Sequence, residues 1–442
     1  MKKGFIAAAM LSMTTCLWAQ RQWTLQECLD YAMQNNITLQ KARLSAASAQ
    51  EEMKGSKAAL LPSLSASSNQ SVGYRPWQDA GTTTVTNGQV NSKVDKTYYN
   101  GSYGLNASWT VWNGNRNTNT LKQNRLSAQQ AELQTEVTAN NIQEQIAQLY
   151  VQILYLSEAV KVSEQSLETS KKNEERGKEM LEVGKMSKAD VAQLSAQRAT
   201  DEYNIVEARA NISKYKLQLK QLLELDGPAD FDIAIPATTD GQALDEIPAL
   251  QNIYEKALAS RPEIQSSQLA VKSSDLGVKI AKAGYLPSLN LTGGLGTSTN
   301  SLSSNAWGTQ LKTNFDASAG LSISIPIFDQ RQAKTNVAKA RIQQQQAILD
   351  LQDRQKELYQ TIEQYWLDAE TNQQKFRAAI ATEQSEQQSY DLLQEQFQLG
   401  LKNIVELMTG KDKLLSAQQN KLQSKYQTIL AQQMLRFYSG EK

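Results

Sequence analysis

Residues 101–116 read GSYGLNASWTVWNGNR, and this stretch joins the two kinds of element that decide the fold. Its apolar side chains occupy every second position, which predicts a strand with one apolar and one small polar face: Tyr103, Leu105, Ala107, Trp109 and Val111. Residues 115–182 follow, without proline and with no glycine before Gly177. This run predicts a single helix on the order of 100 Å long.

The same order recurs at residues 315–331, FDASAGLSISIPIFDQR, ahead of a second helical run at 331–398. Residues 63–74 and 288–296 alternate more weakly. Four strands of about ten residues with one apolar face suit a transmembrane β-barrel, whereas the alternative is two amphipathic hairpins on a soluble sheet. Four tryptophans in or beside these runs resemble the interfacial girdle of a barrel and favour the first interpretation: Trp77, Trp109, Trp112 and Trp307.

The first long helical run carries an apolar seam. Its members recur at spacings of four and three residues: Ile142, Ile146, Leu149, Ile153, Leu156 and Val160. This spacing is typical of a coiled coil.

The chain also contains an internal duplication. An offset of 225 residues aligns Leu61-Pro62-Ser63-Leu64 with Leu286-Pro287-Ser288-Leu289, and an offset of 216 aligns Gly184 with Gly400. The change of offset falls in the predicted hairpin loops, about 75–99 and 297–313. Each repeat therefore reads helix, hairpin, long helix and return helix. The first repeat is 20–225, with hairpin 63–112, long helix 115–182 and return helix 187–224. A linker or equatorial region follows at 226–250. The second repeat is 251–442, with hairpin 287–328, long helix 331–398 and return helix 403–438.

Composition argues against several classes of function. The 46 Lys and Arg residues balance 45 Asp and Glu, so no basic excess indicates a nucleic-acid partner. The chain has no histidine and two cysteines, Cys16 and Cys28. We therefore expect no metal site, no cofactor and no catalytic thiol. Carboxylates and tyrosines are scattered without a catalytic constellation, so we expect no enzyme.

The first residues, MKKGFIAAAMLSMTTCLWAQ, have a dibasic start, a short apolar run and Ala19 before Gln20. This pattern predicts a signal peptide at 1–19. Lipidation of Cys16 is the less favoured alternative, because Met-Thr-Thr precedes it.

Two short segments are predicted to reverse the helices. In the first, Gly184 suits a left-handed helix C-terminus, Ser187 an N-cap and Asp190 the third position of a capping box. The second repeats this order with Gly400, Asn403 and Glu406.

Four strands cannot close a barrel, and unpaired backbone groups at an open edge would cost several kcal/mol each in lipid. The sequence therefore predicts an oligomer. An oligomer of two, three or four chains would have at least the eight strands that a closed barrel needs.

Taken together, the duplicated junctions resemble those of the TolC-type outer-membrane efflux proteins of Gram-negative bacteria, over essentially the whole mature chain. The resemblance rests on Leu-Pro-Ser-Leu at 61–64 and 286–289, on Arg261-Pro262-Glu263-Ile264, and on Pro326-Ile327-Phe328-Asp329-Gln330-Arg331. The counterpart at 111–116 lacks the proline. The resemblance implies an α+β membrane protein, with long antiparallel coiled-coil helices in a periplasmic α-barrel and four strands per chain in the shared β-barrel of a homotrimer.

The resemblance also implies roles for the reversal turns, beyond capping. Asp190 and Glu406 match acidic positions at the tunnel entrance, whereas Phe397 stands where relatives often have a polar contact linked to the gate. The tips are expected to meet a periplasmic adaptor through Val183, Gly184, Lys185, Met186, Ser187, Leu399, Gly400, Leu401, Lys402 and Asn403. Of these, Val183, Lys185, Leu399, Leu401 and Lys402 are expected to be the most exposed.

The function implied is a passive outer-membrane exit duct for small molecules, energised by an inner-membrane transporter through a periplasmic membrane-fusion adaptor. Its barrel would contact outer-membrane lipid, and its helices would extend into the periplasm. The exit duct of a type I protein secretion system is an alternative with the same architecture. A structural or adhesive trimeric coiled coil is an alternative of another class, but it has no need of lipid-facing hairpins.

Overall fold

The computed structural model describes residues 22–77, 80–85, 88–93, 96–225, 231–236, 240–301 and 303–441. The predicted leader at 1–19, with Cys16, lies outside the described residues, as do parts of the predicted linker at 226–250.

The described part of the chain is mostly helical, and its helices and strands follow one another in this order: β1 (Gln22–Trp23), α1 (Leu25–Asn35), α2 (Ile37–Ala58), β2 (Ser63–Tyr74), β3 (Ala80–Val85), β4 (Gly88–Lys93), β5 (Thr97–Trp112), α3 (Arg116–Glu182), α4 (Lys188–Leu222), β6 (Asp232–Ile233), α5 (Asp240–Ala243), α6 (Leu250–Ser260), α7 (Pro262–Lys282), a 3-10 turn (Ala283–Tyr285), β7 (Ser288–Asn300), α8 (Trp307–Thr313), β8 (Asp316–Ser324), α9 (Gln332–Gln398) and α10 (Ile404–Ser439). The two longest helices, α3 and α9, have 67 residues each. Among the described helices, none has both the length and the apolar composition that a membrane crossing requires.

Two compact units make up the chain, and each draws on both halves of the sequence. The first unit comprises Met1–Ala42, Thr135–Pro262 and Gln355–Lys442; the second comprises Arg43–Gln134 and Glu263–Arg354. The helices α3 and α9 contribute to both units.

The second unit contains an antiparallel sheet of four strands in the order β2-β5-β7-β8. Its register aligns Ala66 with Leu105, Leu105 with Leu295, and Leu295 with Ala317. Because side chains alternate between the two faces of a strand, these four residues lie on one face, together with Trp109, Leu291 and Leu321. This shared face is called the apolar face below.

The strands differ from their expected lengths. The central strands β5 and β7 extend beyond 101–111 and 288–296, and a register shift between Thr110 and Trp112 aligns Trp112 with Leu289. Val111 is therefore the extra residue of a bulge, so the sequence alternation ends at Trp109.

Both segments expected as hairpin loops contain regular structure. Within 75–99, the strands β3 and β4 pair as a separate two-stranded sheet. The sequence AGTTTV of β3 is rich in β-branched residues, which favour a strand. Within 297–313, β7 continues to Asn300 and α8 follows at Trp307.

The core of the first unit surrounds the predicted seam. Ile142, Ile146, Ile153 and Val160 are buried, whereas Leu149 and Leu156 are half-buried. The buried surface of α3 is wider than a two-helix seam, because side chains from several other elements pack against it: Cys28, Leu39, Leu219, Ile233 and Tyr426.

Candidate functional site

The first helix reversal, between α3 and α4, has the predicted capping geometry. Gly184 has φ of 71°, the left-handed region that favours glycine. The Lys185 amide donates to the Met180 carbonyl at 2.8 Å, and the Gly184 amide donates to that of Leu181 at 3.0 Å. These two bonds close the C-terminus of α3 in a Schellman arrangement.

The start of α4 is fixed by a capping box. The Asp190 amide donates to the Ser187 hydroxyl oxygen at 3.1 Å, and the Ser187 amide donates to the Asp190 carboxylate at 3.3 Å. The predicted N-cap and its acidic partner are therefore confirmed. The same carboxylate accepts from the Ser187 hydroxyl at 2.7 Å.

The second reversal, between α9 and α10, repeats this geometry. Gly400 has φ of 75°, and the Leu401 amide donates to the Gln396 carbonyl at 2.9 Å. The Glu406 amide donates to the Asn403 side chain at 2.9 Å, and the Asn403 amide donates to the Glu406 carboxylate at 3.2 Å. This predicted capping box is likewise confirmed.

The second turn differs from the first in that a lysine forms an ion pair with its capping carboxylate. Lys402 Nζ lies 2.7 Å from Glu406 Oε1, and this hydrogen bond, with that from the Asn403 amide, lowers the pKa of the Glu406 carboxyl. Lys402 is half-buried rather than one of the most exposed tip residues, because its side chain folds back onto that carboxylate. Asp190 and Glu406 both serve the caps, and their role at a tunnel entrance stays a prediction.

Three apolar side chains at the turns face solvent. The exposed fractions are 68% for Val183, 74% for Leu399 and 70% for Leu401. No cap hydrogen bond uses these side chains, since the caps are built from the backbone and from polar groups. Lys185 is also exposed. Gly184, Ser187, Gly400 and Asn403 are exposed as well, so eight of the ten predicted tip residues lie at the surface.

A small core lies behind the two turns. Met186, unlike the other tip residues, packs into this core, so its side chain is turned away from the exposed surface. Phe397 is buried there, which explains why an apolar side chain stands where a polar contact would otherwise be expected. The core holds α4 to α9 and α10 through Leu194, Tyr390, Phe397, Ile404, Leu407 and Leu414.

The sequence did not indicate a buried polar cluster that joins three helices of the first unit. Lys411 of α10 donates from Nζ to Asp201 of α4 and to the hydroxyl of Ser170 of α3. The Ser170 hydroxyl donates in turn to Asp201 Oδ2 at 2.6 Å. All three residues are buried. Asp201 and Lys411 lie on different helices, and each helix carries several other charged residues. Nothing in the sequence therefore distinguishes this buried ion pair from the exposed charged residues.

A second polar group, centred on Glu174, joins α3 to α4. Glu174 accepts from Lys178 and Ser195 at 2.8 Å each and from Arg198 Nε at 2.6 Å. The hydrogen bonds from Lys178, Ser195 and Arg198 outweigh the effect of burial and lower the pKa of this carboxyl to about 2.

The single cysteine among the described residues offers no reactive thiol. Cys28 is fully buried in the core of the first unit, and burial raises its pKa to about 12. A thiol held neutral in this way is a poor nucleophile.

The chain combines a four-stranded sheet that has an exposed apolar face with long helices that end in capped turns. The family model described as outer membrane efflux protein matches residues 28–224 and 253–441. The chain belongs to the outer membrane efflux protein family. The predicted family, its outer-membrane location in Gram-negative bacteria and its role as an efflux channel are confirmed by this match.

Individual relatives are distant but cover nearly the whole chain. The outer membrane efflux protein BepC of Brucella suis is 24% identical over 437 residues, covering 97% of this chain and 88% of BepC. The alkaline protease secretion protein AprF of Pseudomonas aeruginosa is 23% identical over 388 residues, covering 87% and 77%. The crystal structure of the Campylobacter jejuni CmeC outer membrane channel superposes with a TM-score of 0.79 at 20% identity, covering 94% and 85%. The fold is therefore that of the solved channels.

Proposed function

We propose that this chain is one subunit of a homotrimeric exit duct that passively conducts small molecules out of the cell as part of a tripartite efflux pump. The observation that carries the proposal is the sheet of the second unit, which exposes an apolar face and has two edges without a partner among the described strands. The apolar face does not suit an isolated chain in water, and the open edges do not suit an isolated chain in lipid.

The apolar face carries an exposed leucine on each of its four strands. Leu64 on β2 is 76% exposed and Leu321 on β8 is 64% exposed, while Leu105 and Leu295 on the central strands are exposed as well. A continuous apolar face of this kind is suited to acyl chains. The opposite face carries small polar residues such as Ser108, which are suited to a water-filled lumen.

The two edges of this sheet require neighbours. Within the described strands, β2 pairs only with β5, and β8 pairs only with β7. In lipid every unpaired backbone group would cost several kcal/mol, so the sheet must close through other copies. Three copies supply twelve strands, and the family resemblance favours three over two or four. We interpret the two hairpins as the products of the internal duplication predicted from the sequence.

The helix-reversal turns are the proposed contact with a periplasmic adaptor, which would connect the duct to an inner-membrane transporter. Val183, Leu399 and Leu401 support this role, because they place apolar side chains in solvent at positions that capping does not need. Lys185 adds an exposed charge. No cofactor, metal or catalytic step is needed for passive conduction.

Protein secretion is the second candidate function. It is favoured by the similarity to AprF, whose name assigns it to alkaline protease secretion. Both functions use the same duct, so the cargo and the partner transporter distinguish them. Loss of the gene should sensitise cells to small toxic molecules if efflux is the function, and should abolish export of a particular protein if secretion is.

Disulfide trapping between edge strands tests the oligomer. In a Cys16→Ser background, a chain carrying Ser67→Cys on β2 and one cysteine placed in turn along β8 should form covalent trimers under oxidation. The control pair Ser108→Cys and Thr292→Cys lies opposite within one chain and should leave monomers. A ladder that ends at two or four chains, or monomers for every β8 position, would contradict the proposed trimer.

Charge changes at the turns test adaptor docking separately. Leu401→Asp and Lys185→Glu alter the exposed surface without touching a cap, so we expect normal trimers at normal outer-membrane levels with loss of export. Compensating changes in the adaptor should restore it. Lys171→Glu changes an exposed lysine of α3 away from the turns; it is the matched control and should export normally. Normal export by both tip variants, with persistent adaptor crosslinks, would show that docking lies elsewhere.

A further inference from the structure

The short helix α8 packs over the apolar face of the sheet. Thr297 shares the alternation of Leu291 and Leu295, so its side chain lies on that face. Its hydroxyl donates to the Leu311 carbonyl of α8 at 2.8 Å. The helix therefore lies on the side of the sheet that carries the leucines, rather than on the small polar side.

The position of α8 is fixed by buried and backbone hydrogen bonds. Gln310 is buried; its Oε1 accepts from the Asn300 amide at 2.8 Å, and its Nε2 donates to the Asn305 carbonyl at 2.8 Å. Beyond the helix, the Asn314 side chain donates to the Ser298 carbonyl at 2.7 Å. These bonds attach α8 to the end of β7 at several points, as a fixed element and not as a loop that turns freely.

An aromatic group marks the same end of the sheet. The Trp307 ring meets the Tyr103 ring edge to face, with centroids 6.3 Å apart, yet Trp307 remains 59% exposed. Phe315, which continues the alternation of β8, is exposed as well. At 100° per residue, Trp307 and Leu311 share one side of α8, whereas Thr309 and Thr313 share another.

The distance along β7 from the first leucine of the apolar face to the contact with α8 can be compared with the thickness of a bilayer. Leu289 and Thr297 are eight residues apart on β7, roughly 27 Å along the strand. At a strand tilt of about 40°, this distance corresponds to about 20 Å of height, close to the apolar band of about 25 Å in outer-membrane barrels. By this estimate we expect Trp307 at the level where acyl chains give way to headgroups, which tryptophan favours.

We propose that α8 is an interfacial anchor, which lies against the lipid side of the duct and inserts Trp307 into the outer boundary of the bilayer. This inference rests on the proposed function, because the apolar face must meet lipid. The partner is the lipid surface itself, recognised through the aromatic ring and the adjoining apolar face. The position of Thr297 on the apolar face argues against the other arrangement, in which α8 would turn inward and narrow the duct.

Depth-dependent quenching tests the anchor in the full-length channel, reconstituted in phosphatidylcholine vesicles. In the Cys16→Ser background, Trp307→Cys carries an environment-sensitive fluorophore, while Cys28 is shielded by burial. Thr309→Cys, on another side of the same helix, is the matched control, and Leu321→Cys reports whether the apolar face meets lipid. Trimer assembly of each labelled variant is checked first.

The Trp307 probe should be quenched about twofold more strongly by a shallow nitroxide lipid than by a deep one, and it should resist aqueous iodide. The Thr309 probe should show the greater iodide quenching. If iodide quenches both helix probes alike while lipid nitroxides quench only the Leu321 probe, the anchor is refuted and the duct stands. If the Leu321 probe is also insensitive to lipid nitroxides, the lipid-facing sheet fails, and the anchor fails with it.

Discussion

Removing the carboxylate of Asp201 should loosen the helices of the first unit far more than removing an exposed charge. In Asp201→Ala, the ammonium of Lys411 would remain buried, with the Ser170 hydroxyl as its hydrogen-bond partner and only the charge interaction with Asp412 left to compensate it among the described residues. Breaking a buried ion pair from one side costs about 3–5 kcal/mol, because the surviving charge has lost its compensation. Since about 1.4 kcal/mol corresponds to a factor of ten, local opening should become roughly a hundredfold to several thousandfold more frequent.

Amide hydrogen exchange measures this opening directly in the purified channel. Under conditions where exchange reports the opening equilibrium, protection should fall by that factor in peptides covering 165–205 and 405–415. Peptides from the sheet should keep their exchange rates, because the perturbation is local.

Two controls separate charge burial from side-chain loss. The pair Asp201→Leu with Lys411→Met removes both charges and keeps apolar volume, so it should cost much less than the single change. Glu164→Ala removes the partner of Arg209 in an exposed pair, and this should cost at most about 1 kcal/mol. The reasoning fails if Asp201→Ala exchanges no faster than Glu164→Ala, or if the double variant is as open as the single one.

Three further changes have defined outcomes. Leu321→Arg should destabilise membrane insertion by about 2–4 kcal/mol whereas Ser322→Arg is tolerated, measured as folded protein recovered in the outer membrane; equal losses would contradict the two-faced sheet. Gly400→Ala should cost about 1 kcal/mol through backbone strain alone, because an added methyl group has no neighbour within 4 Å, and the thermal midpoint in detergent should fall slightly with caps intact. Because the pKa of Glu174 is lowered to about 2, its stabilisation is complete above about pH 4.5 and is lost as the pH falls towards 2. Glu174→Gln should therefore lower the thermal midpoint at neutral pH and match the wild type near pH 2; a constant difference across that range would exclude the carboxylate as the cause.

Features that depend on neighbouring residues in the chain could be predicted from the sequence. The caps at Ser187 and Asn403 need only a polar side chain and an acidic residue three positions later, together with a glycine at the preceding helix end. The alternation in 315–325 likewise indicated β8 before any partner strand was known. In both cases the determining contacts span a few residues.

Features that depend on distant partners could not be predicted. The bulge at Val111 exists because β5 must pair with β7, and its position follows from the partner's register. Lys411 and Asp201 are separated by 210 residues, so only the packed helices reveal that the pair is buried. Met186 belongs to the predicted tips, but a core assembled from three helices draws its side chain inward, and the adjacent sequence does not indicate this.

The pairing of β5 with β7 also constrains the order in which the chain can fold. These central strands join the two halves of the sequence: Thr110 bonds to Asn290 across 180 residues, and Tyr99 to Ser301 across 202. Closing so long a loop is entropically unfavourable and slow. We therefore expect each hairpin to form before β5 pairs with β7, while its apolar side is still uncovered. During synthesis, the residues of the first hairpin are made before those of the second. The step most exposed to aggregation is therefore the interval before β5 meets β7, when a holding chaperone would have the largest effect on yield.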